Sequence, residues 1–136
     1  MLLHVTPPKC IGCRTCEMTC AFSHPVPPGA QPGTSRIRIA SDPQGRPGLS
    51  RVTICLQCED AGCVAACPAN ALWRDQKTGA IVHKAERCIR CRSCVAGCPF
   101  GNMHWEVSTD QPVKCDLCGG DPRCAKFCPS GTLVWR

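Results

Sequence analysis

The cysteines restrict this chain more than any other feature. Sixteen of its 136 residues are Cys, and they fall into four groups of four with none left over. Cys10, Cys13, Cys16 and Cys20 form the first group and Cys55, Cys58, Cys63 and Cys67 the second. Cys88, Cys91, Cys94 and Cys98 form the third, and Cys115, Cys118, Cys124 and Cys128 the fourth. A chain of about 12 per cent cysteine is built around its thiols. Hydrophobic residues reach 43% only when those thiols are counted, and there are three Phe, three Trp and no Tyr. Such a small apolar complement does not offset the chain entropy of folding, so crosslinks must supply much of the stability. The metal-free chain is expected not to fold.

The groups repeat. The first and third share the spacing C-x2-C-x2-C-x3-C, and KCIGCRTCEMTC aligns with RCIRCRSCVAGC. The second and fourth share a wider middle gap, and CLQCEDAGCVAACPANALWR aligns with CDLCGGDPRCAKFCPSGTLVWR. A close-spaced run followed by a wide-spaced run occurs twice, the mark of a duplicated unit. Between the runs, PVPPGAQPG at 25–33 reads as a loop. RIRIA at 36–40 and SRVTI at 50–54 alternate apolar with polar residues around turn signals and predict a hairpin. ALWRDQKTGAIVHK at 71–84 predicts another, turning at Lys77, Thr78 and Gly79, and MHWEV and TLVWR read as short strands. Short helical turns are expected after the third cysteine of each run, as in AGCVAAC.

Cysteines at i, i+3 and i+6 can wrap three corners of a compact inorganic cluster, and the fourth corner must come from elsewhere. This is the spacing of the bacterial run C-x2-C-x2-C-x3-C-P, whose last cysteine binds the other cluster of a two-cluster ferredoxin. Cys67-Pro68, Cys98-Pro99 and Cys128-Pro129 carry the proline, while Cys20 is followed by Ala21. Four zinc sites would also use C-x2-C pairs, but zinc does not ask for a third cysteine so close by. A disulfide framework finds no secretion signal in MLLHVTPPKC to support it. Four 4Fe-4S clusters are the expected cofactors. A zinc-binding interaction or nucleic-acid module stays open as the reading of a different class.

The charge is consistent with clusters. The formal +6 counts every Cys as neutral, and four oxidised cubanes of about −2 each would bring the loaded chain to about −2. The basic balance then compensates buried anions, and no nucleic acid is expected as a partner. No stretch approaches the ~18 apolar residues of a membrane span, so no direct anchor is expected and the chain is placed in the cytoplasm.

The four runs, with KCIGCRTCE and AFSH, resemble the four-cluster ferredoxin-like electron-transfer subunits of molybdenum and tungsten oxidoreductases and of formate- or CO-linked hydrogenases. Within that family the chain most resembles the small subunit of a tungsten-containing aldehyde oxidoreductase complex. The resemblance implies an α+β, ferredoxin-like fold, loop-rich with short hairpins and short helices. Two pseudo-symmetric lobes, each like a bacterial two-cluster ferredoxin, would form one compact unit over 1–136. Lobe one would cover roughly 1–30 and 108–136 and hold clusters one and two, lobe two roughly 48–107 with clusters three and four, and 31–47 would be a hairpin insertion. The family's swapped ligation assigns cluster one to Cys10, Cys13, Cys16 and Cys128, and cluster two to Cys20, Cys115, Cys118 and Cys124. Cluster three takes Cys55, Cys58, Cys63 and Cys98, and cluster four Cys67, Cys88, Cys91 and Cys94. Cluster one would face the catalytic partner.

The same resemblance implies a large tungsten or molybdenum pterin subunit as partner. Electrons would pass to a flavin- and NAD-binding subunit, a ferredoxin or a hydrogenase. Self-association into a longer wire is a further expectation, and a free polyferredoxin without a stable partner stays open as an alternative. No catalytic residue is assigned, since the chain has no phosphate loop, no H-E-x-x-H and no nucleophile elbow. His4, His24, His83 and His104 sit at no ligand offset, and Trp73, Trp105 and Trp135 read as packing on strands. Lys9, Arg14, Arg87, Arg90, Arg92 and Lys114 flank or interrupt the runs. Solvation is their plain role, and positive charge near sulfur would also favour a reduced cluster.

Overall fold

The structure is a computed structural model that describes residues 2–25, 33–46 and 49–136. The loop expected at 25–33 lies almost wholly outside the described residues. The chain divides into two compact units: Met1–Ile54 together with Asp121–Arg136, and Cys55–Gly120.

In the first unit the chain ends pair. Strand β1 (Leu3–Val5) runs antiparallel to β8 (Leu133–Trp135) with Leu3 opposite Trp135. Helix α1 (Thr15–Ser23) carries Cys16 and Cys20 on its buried side and packs on α4 (Arg123–Lys126). The alternation in RIRIA produces the predicted hairpin. In β2 (Ile37–Ala40) Ile37 and Ile39 are buried while Arg38 and Ala40 are exposed, and β3 (Arg51–Ile54) pairs Ile54 with Ile37. The Glu17 carboxylate of α1 accepts the Ile39 N–H at 2.6 Å and ties the hairpin to the helix.

The second unit contains two hairpins and two five-residue helices. Strands β4 (Leu72–Arg74) and β5 (Ile81–His83) pair antiparallel around a turn that Asp75 organises, accepting from the Lys77 N–H and the Thr78 hydroxyl. Strand β6 (His104–Glu106) pairs with β7 (Gln111–Val113). Helices α2 (Gly62–Ala66) and α3 (Ser93–Gly97) pack on one another. They approach so closely that a Cβ on Gly62 would lie 2.5 Å from the Gly97 carbonyl oxygen. The core here is Leu72, Ile81, Met103 and Cys94, with Cys63, Cys67 and Cys98 packed against it. Thiols thus occupy much of the interior that a larger domain would fill with aliphatic side chains.

One local expectation is modified. The helices do not follow the third cysteine of each run but contain it, each starting one residue before it, at Thr15, Gly62, Ser93 or Arg123, and α1 continues past the fourth cysteine to Ser23. Residues 108–120 fall in the second unit. Within that unit the Gln57 side-chain amide donates to the Cys115 carbonyl at 2.9 Å and accepts from the Ile81 N–H at 2.8 Å.

Candidate iron-sulfur site

Each cysteine run bends by the same local device. The residue before the second cysteine is left-handed in all four: Gly12 (φ 70°), Gln57 (φ 52°), Arg90 (φ 60°) and Leu117 (φ 56°). In the close-spaced runs the residue after it is left-handed too, Arg14 at φ 60° and Arg92 at φ 62°. Side chains other than glycine adopt this conformation at a cost of about 1–2 kcal/mol each. The bends turn backbone N–H groups toward sulfur: Arg90 donates to the Cys88 Sγ and Leu117 to the Cys115 Sγ, both at 3.4 Å.

The Cys-Pro ends follow a second common pattern. Asn70, Gly101 and Gly131, each three residues past the last cysteine of a run, are left-handed at φ 53°, 65° and 67°. The turn returns the next N–H to the sulfur, Ala71 to Cys67 at 3.3 Å and Asn102 to Cys98 at 3.4 Å. At Cys128 the sulfur meets the Ser130 hydroxyl at 3.6 Å. At Cys20 the helix continues, and its sulfur is reached by the Arg36 N–H at 3.2 Å and by His24 Nδ1 at 3.8 Å.

Buried thiols feel neighbours from their own run and from another run. Burial pushes the Cys16 thiol up to about 11, and the charges of Glu17, Cys128 and Cys13 add to the rise. Burial raises Cys63, with Lys114 opposing and Cys55 and Cys98 adding. Burial raises Cys94, with Cys67 and Cys88 adding. Cys67, Cys88, Cys91 and Cys94 line one common cavity with Leu72, His83, Ile89 and Trp105. Cys115, pushed up to about 11 by burial, feels Lys114, Cys55 and Asp116. At Cys20 burial is outweighed by the hydrogen bonds of His24 and the Arg36 N–H, so its thiol lies below the ordinary value.

This donor set fits cubane clusters. Thiols are gathered across runs, backbone N–H groups point at sulfur, and of the sixteen only Cys13 and Cys91 are exposed. The sequence signature of the 4Fe-4S dicluster domain matches residues 50–136, and that of a 4Fe-4S binding domain matches residues 7–23. The chain belongs to the 4Fe-4S dicluster family. It is 44% identical over 124 residues to the polyferredoxin-like subunit of aliphatic sulfonate oxidoreductase from Pyrococcus furiosus, covering 91% of this chain and 69% of the relative. It is 36% identical over 149 residues to the electron transport protein HydN of Escherichia coli K12, covering 93% of this chain and 82% of that protein. Among solved structures, the active site complex BamBC of benzoyl coenzyme A reductase with benzoyl-CoA contains a chain 26% identical, with a TM-score of 0.53 over 98% of this chain and 76% of that one.

Membership in the family answers the zinc alternative: the sixteen thiols fit four 4Fe-4S clusters. The protein is an iron-sulfur electron-transfer subunit of oxidoreductase complexes and not itself the catalytic enzyme. Among the described residues, no helix is long and apolar enough to cross a membrane.

Some flanking residues have more specific places than the sequence suggested. Arg87 lies over the Trp73 ring at 5.8 Å and Arg92 over Trp105 at 4.7 Å, so two of the tryptophans pack under guanidinium groups. Lys114 is buried, not solvated. Arg74 binds the carbonyls of Gln57 and Cys58 and braces the second run. The sequence reading passed over Gln57 and Arg74, whose partners lie far off in the chain. Their only sequence signal was position, Gln57 between two cysteines and Arg74 in the repeated ending.

Proposed function

We propose that the clusters are held in the swapped sets Cys10/Cys13/Cys16/Cys128, Cys20/Cys115/Cys118/Cys124, Cys55/Cys58/Cys63/Cys98 and Cys67/Cys88/Cys91/Cys94, within two duplicated ferredoxin-like lobes. The observation that carries this reading is that Cys67, the last thiol of the second run, lines one cavity with Cys88, Cys91 and Cys94 of the third; the charge effects of Cys128 on Cys16 and of Cys98 on Cys63 are in keeping with it. The second set rests on the family pattern. When bound, the clusters supply one-electron carriers. The chain's own residues hold them by thiolate and dress the sulfurs with N–H donors.

The partner in this reading is a tungsten or molybdenum pterin catalytic subunit of an aldehyde oxidoreductase. A flavin- and NAD-binding subunit, a ferredoxin or a hydrogenase takes the electrons, in the cytoplasm. The exposed Cys13, with exposed Ile11 beside it, and the exposed Cys91, with exposed Ile89, suit two docking points, because a partner that covers apolar surface next to a ligand shortens the path to its own redox centre. Docking of a second copy at one of them would lengthen the wire.

Oxygen-free purification of the complex, with metal and acid-labile sulfide counted, tests both levels. About sixteen iron and sixteen sulfide per chain, with visible absorbance that bleaches on dithionite, are expected. Tungsten or molybdenum in the co-purified large subunit is expected as well. Iron with no pterin metal would overturn the partner and leave the electron-transfer role.

A further inference from the structure

Two hairpins of the second unit meet at the same four thiols. Leu72 of β4 stands opposite His83 of β5, and Trp105 of β6 opposite Pro112 of β7. Residues opposed across an antiparallel pair share a face, and all four of these line the cavity of Cys67, Cys88, Cys91 and Cys94. Trp73, the next residue along β4, points to the other face of its hairpin and is not among the residues that line the cavity. Each of these two tryptophans has a guanidinium over its ring, Arg87 at 5.8 Å over Trp73 and Arg92 at 4.7 Å over Trp105. Of the two, it is Trp105 that faces the ligands.

Trp105 is also fixed at its edge. Its indole N–H donates to the Asp110 carboxylate at 3.0 Å, and the other oxygen of that carboxylate lies 3.6 Å from the Arg90 guanidinium. Arg90 and Arg92 stand on either side of Cys91, both left-handed, and Cys91 is the exposed thiol of the four. The arginines that bend the ligand loop thus hold the ring by its face and, through Asp110, by its edge. In the Arg90–Asp110 pair more than half of each side chain is open to solvent, so the pair adds little stability. Its effect is on where the ring lies.

We propose that Trp105 is the solvent shield of the cluster held by Cys67, Cys88, Cys91 and Cys94, with Arg92 and Asp110 as the positioning residues that keep its ring against the cavity. The proposal rests on that ligand set. An apolar wall that keeps water from a cluster withholds solvation from its more anionic reduced state, so the potential is held below that of an open site. The ring thereby holds down this one potential. It leaves Cys91 open to a partner while water is kept from the thiols behind it.

The test is an EPR-monitored redox titration of the iron-loaded protein, with iron per chain counted first and deuterium coupling from heavy water read on each signal by pulsed EPR. Cys91→Ser identifies the signal of this cluster, by its loss or its altered shape. In Trp105→Ala that signal should titrate at a higher potential, by about tenfold in the reduction equilibrium or about 59 mV for a one-electron couple, and its deuterium coupling should grow. The other three signals should hold, and Trp73→Ala should leave all four in place. Trp105→Phe, which keeps a ring but loses the N–H to Asp110, should move the same signal by less. Full iron with that signal unmoved in Trp105→Ala, or an equal shift in Trp73→Ala, would overturn the proposal. If Trp105→Ala loses about four irons per chain, one cluster's worth, and Trp105→Phe keeps them, the shield is supported. A larger loss, or one that Trp105→Phe or Trp73→Ala reproduces, overturns it in favour of plain packing. Should Cys67→Ser alter a different signal from Cys91→Ser, the ligand set itself fails, and the shield is judged on the Cys91 signal alone.

Discussion

Cys20 and Cys98 close runs of identical spacing, one in each unit, and their sulfurs are satisfied in different ways. After Cys98 the chain reads Pro-Phe-Gly, turns at Gly101 and brings the Asn102 N–H back to the sulfur at 3.4 Å. After Cys20 it reads Ala-Phe-Ser and stays helical, so no local backbone N–H returns; the backbone donor is Arg36, sixteen positions away at the entrance to β2, beside the His24 ring nitrogen at 3.8 Å. The neighbouring helices differ correspondingly. In the second unit Gly62 and Gly97 let α2 and α3 touch backbone to backbone; in the first, Arg123 and Thr19 occupy the aligned positions with full side chains. One unit thus surrounds its sulfurs through local turns and small residues. The other relies on an added hairpin, and the same ligand spacing serves both.

Removing the metal tests what the two units have in common and should have the largest effect. Stripping iron with a chelator under reducing conditions is expected to abolish the cooperative unfolding transition and most of the near-ultraviolet circular dichroism. The left-handed bends in the runs and the thiol-rich core have no compensation without the ligands. A chelated chain that still melted cooperatively would show that the hairpins suffice.

Giving the first run the ending of the third, by Ala21→Pro with Ser23→Gly, attacks the difference directly. Proline inside α1 removes a helical hydrogen bond, and about 3 kcal/mol should be lost in denaturant unfolding. Unchanged stability would mean that the two endings are interchangeable. Gly62→Ala should lower stability by about 1–3 kcal/mol because the new methyl meets the Gly97 backbone, whereas Thr19→Ala at the position aligned with Gly97 should be milder. Equal losses at the two sites would erase the contrast in helix packing. The smallest effect is expected for Glu17→Gln, which keeps an acceptor for the Ile39 N–H but removes its charge; roughly 1 kcal/mol should be lost, read as a drop in melting temperature.

The hairpins at 37–54 and 72–83 could be read from residue alternation and turn signals, because a strand's inward and outward faces are recorded in adjacent residues. The bends of the runs were less visible. Gly12 hints at a left-handed residue, but Arg90, Gln57 and Leu117 take the same conformation with side chains that disfavour it. The pairing of β1 with β8 joins the two ends of the chain, and no local pattern in LHV or LVW specifies a partner. Lys114 looked like any other basic residue beside a cysteine. Its burial depends on Ile81 and on the fold that brings Ile81 to it.

The sequence by itself determined the candidate ligands, their number and the cofactor class, because cubane coordination demands thiols at short intervals and those intervals are written along the chain. Only the tertiary structure decided which distant N–H serves Cys20, which glycines must stay bare and which of the flanking cations is buried. Those outcomes depend on backbone approach and solvent exclusion between segments far apart in sequence, and neither is encoded in any one segment.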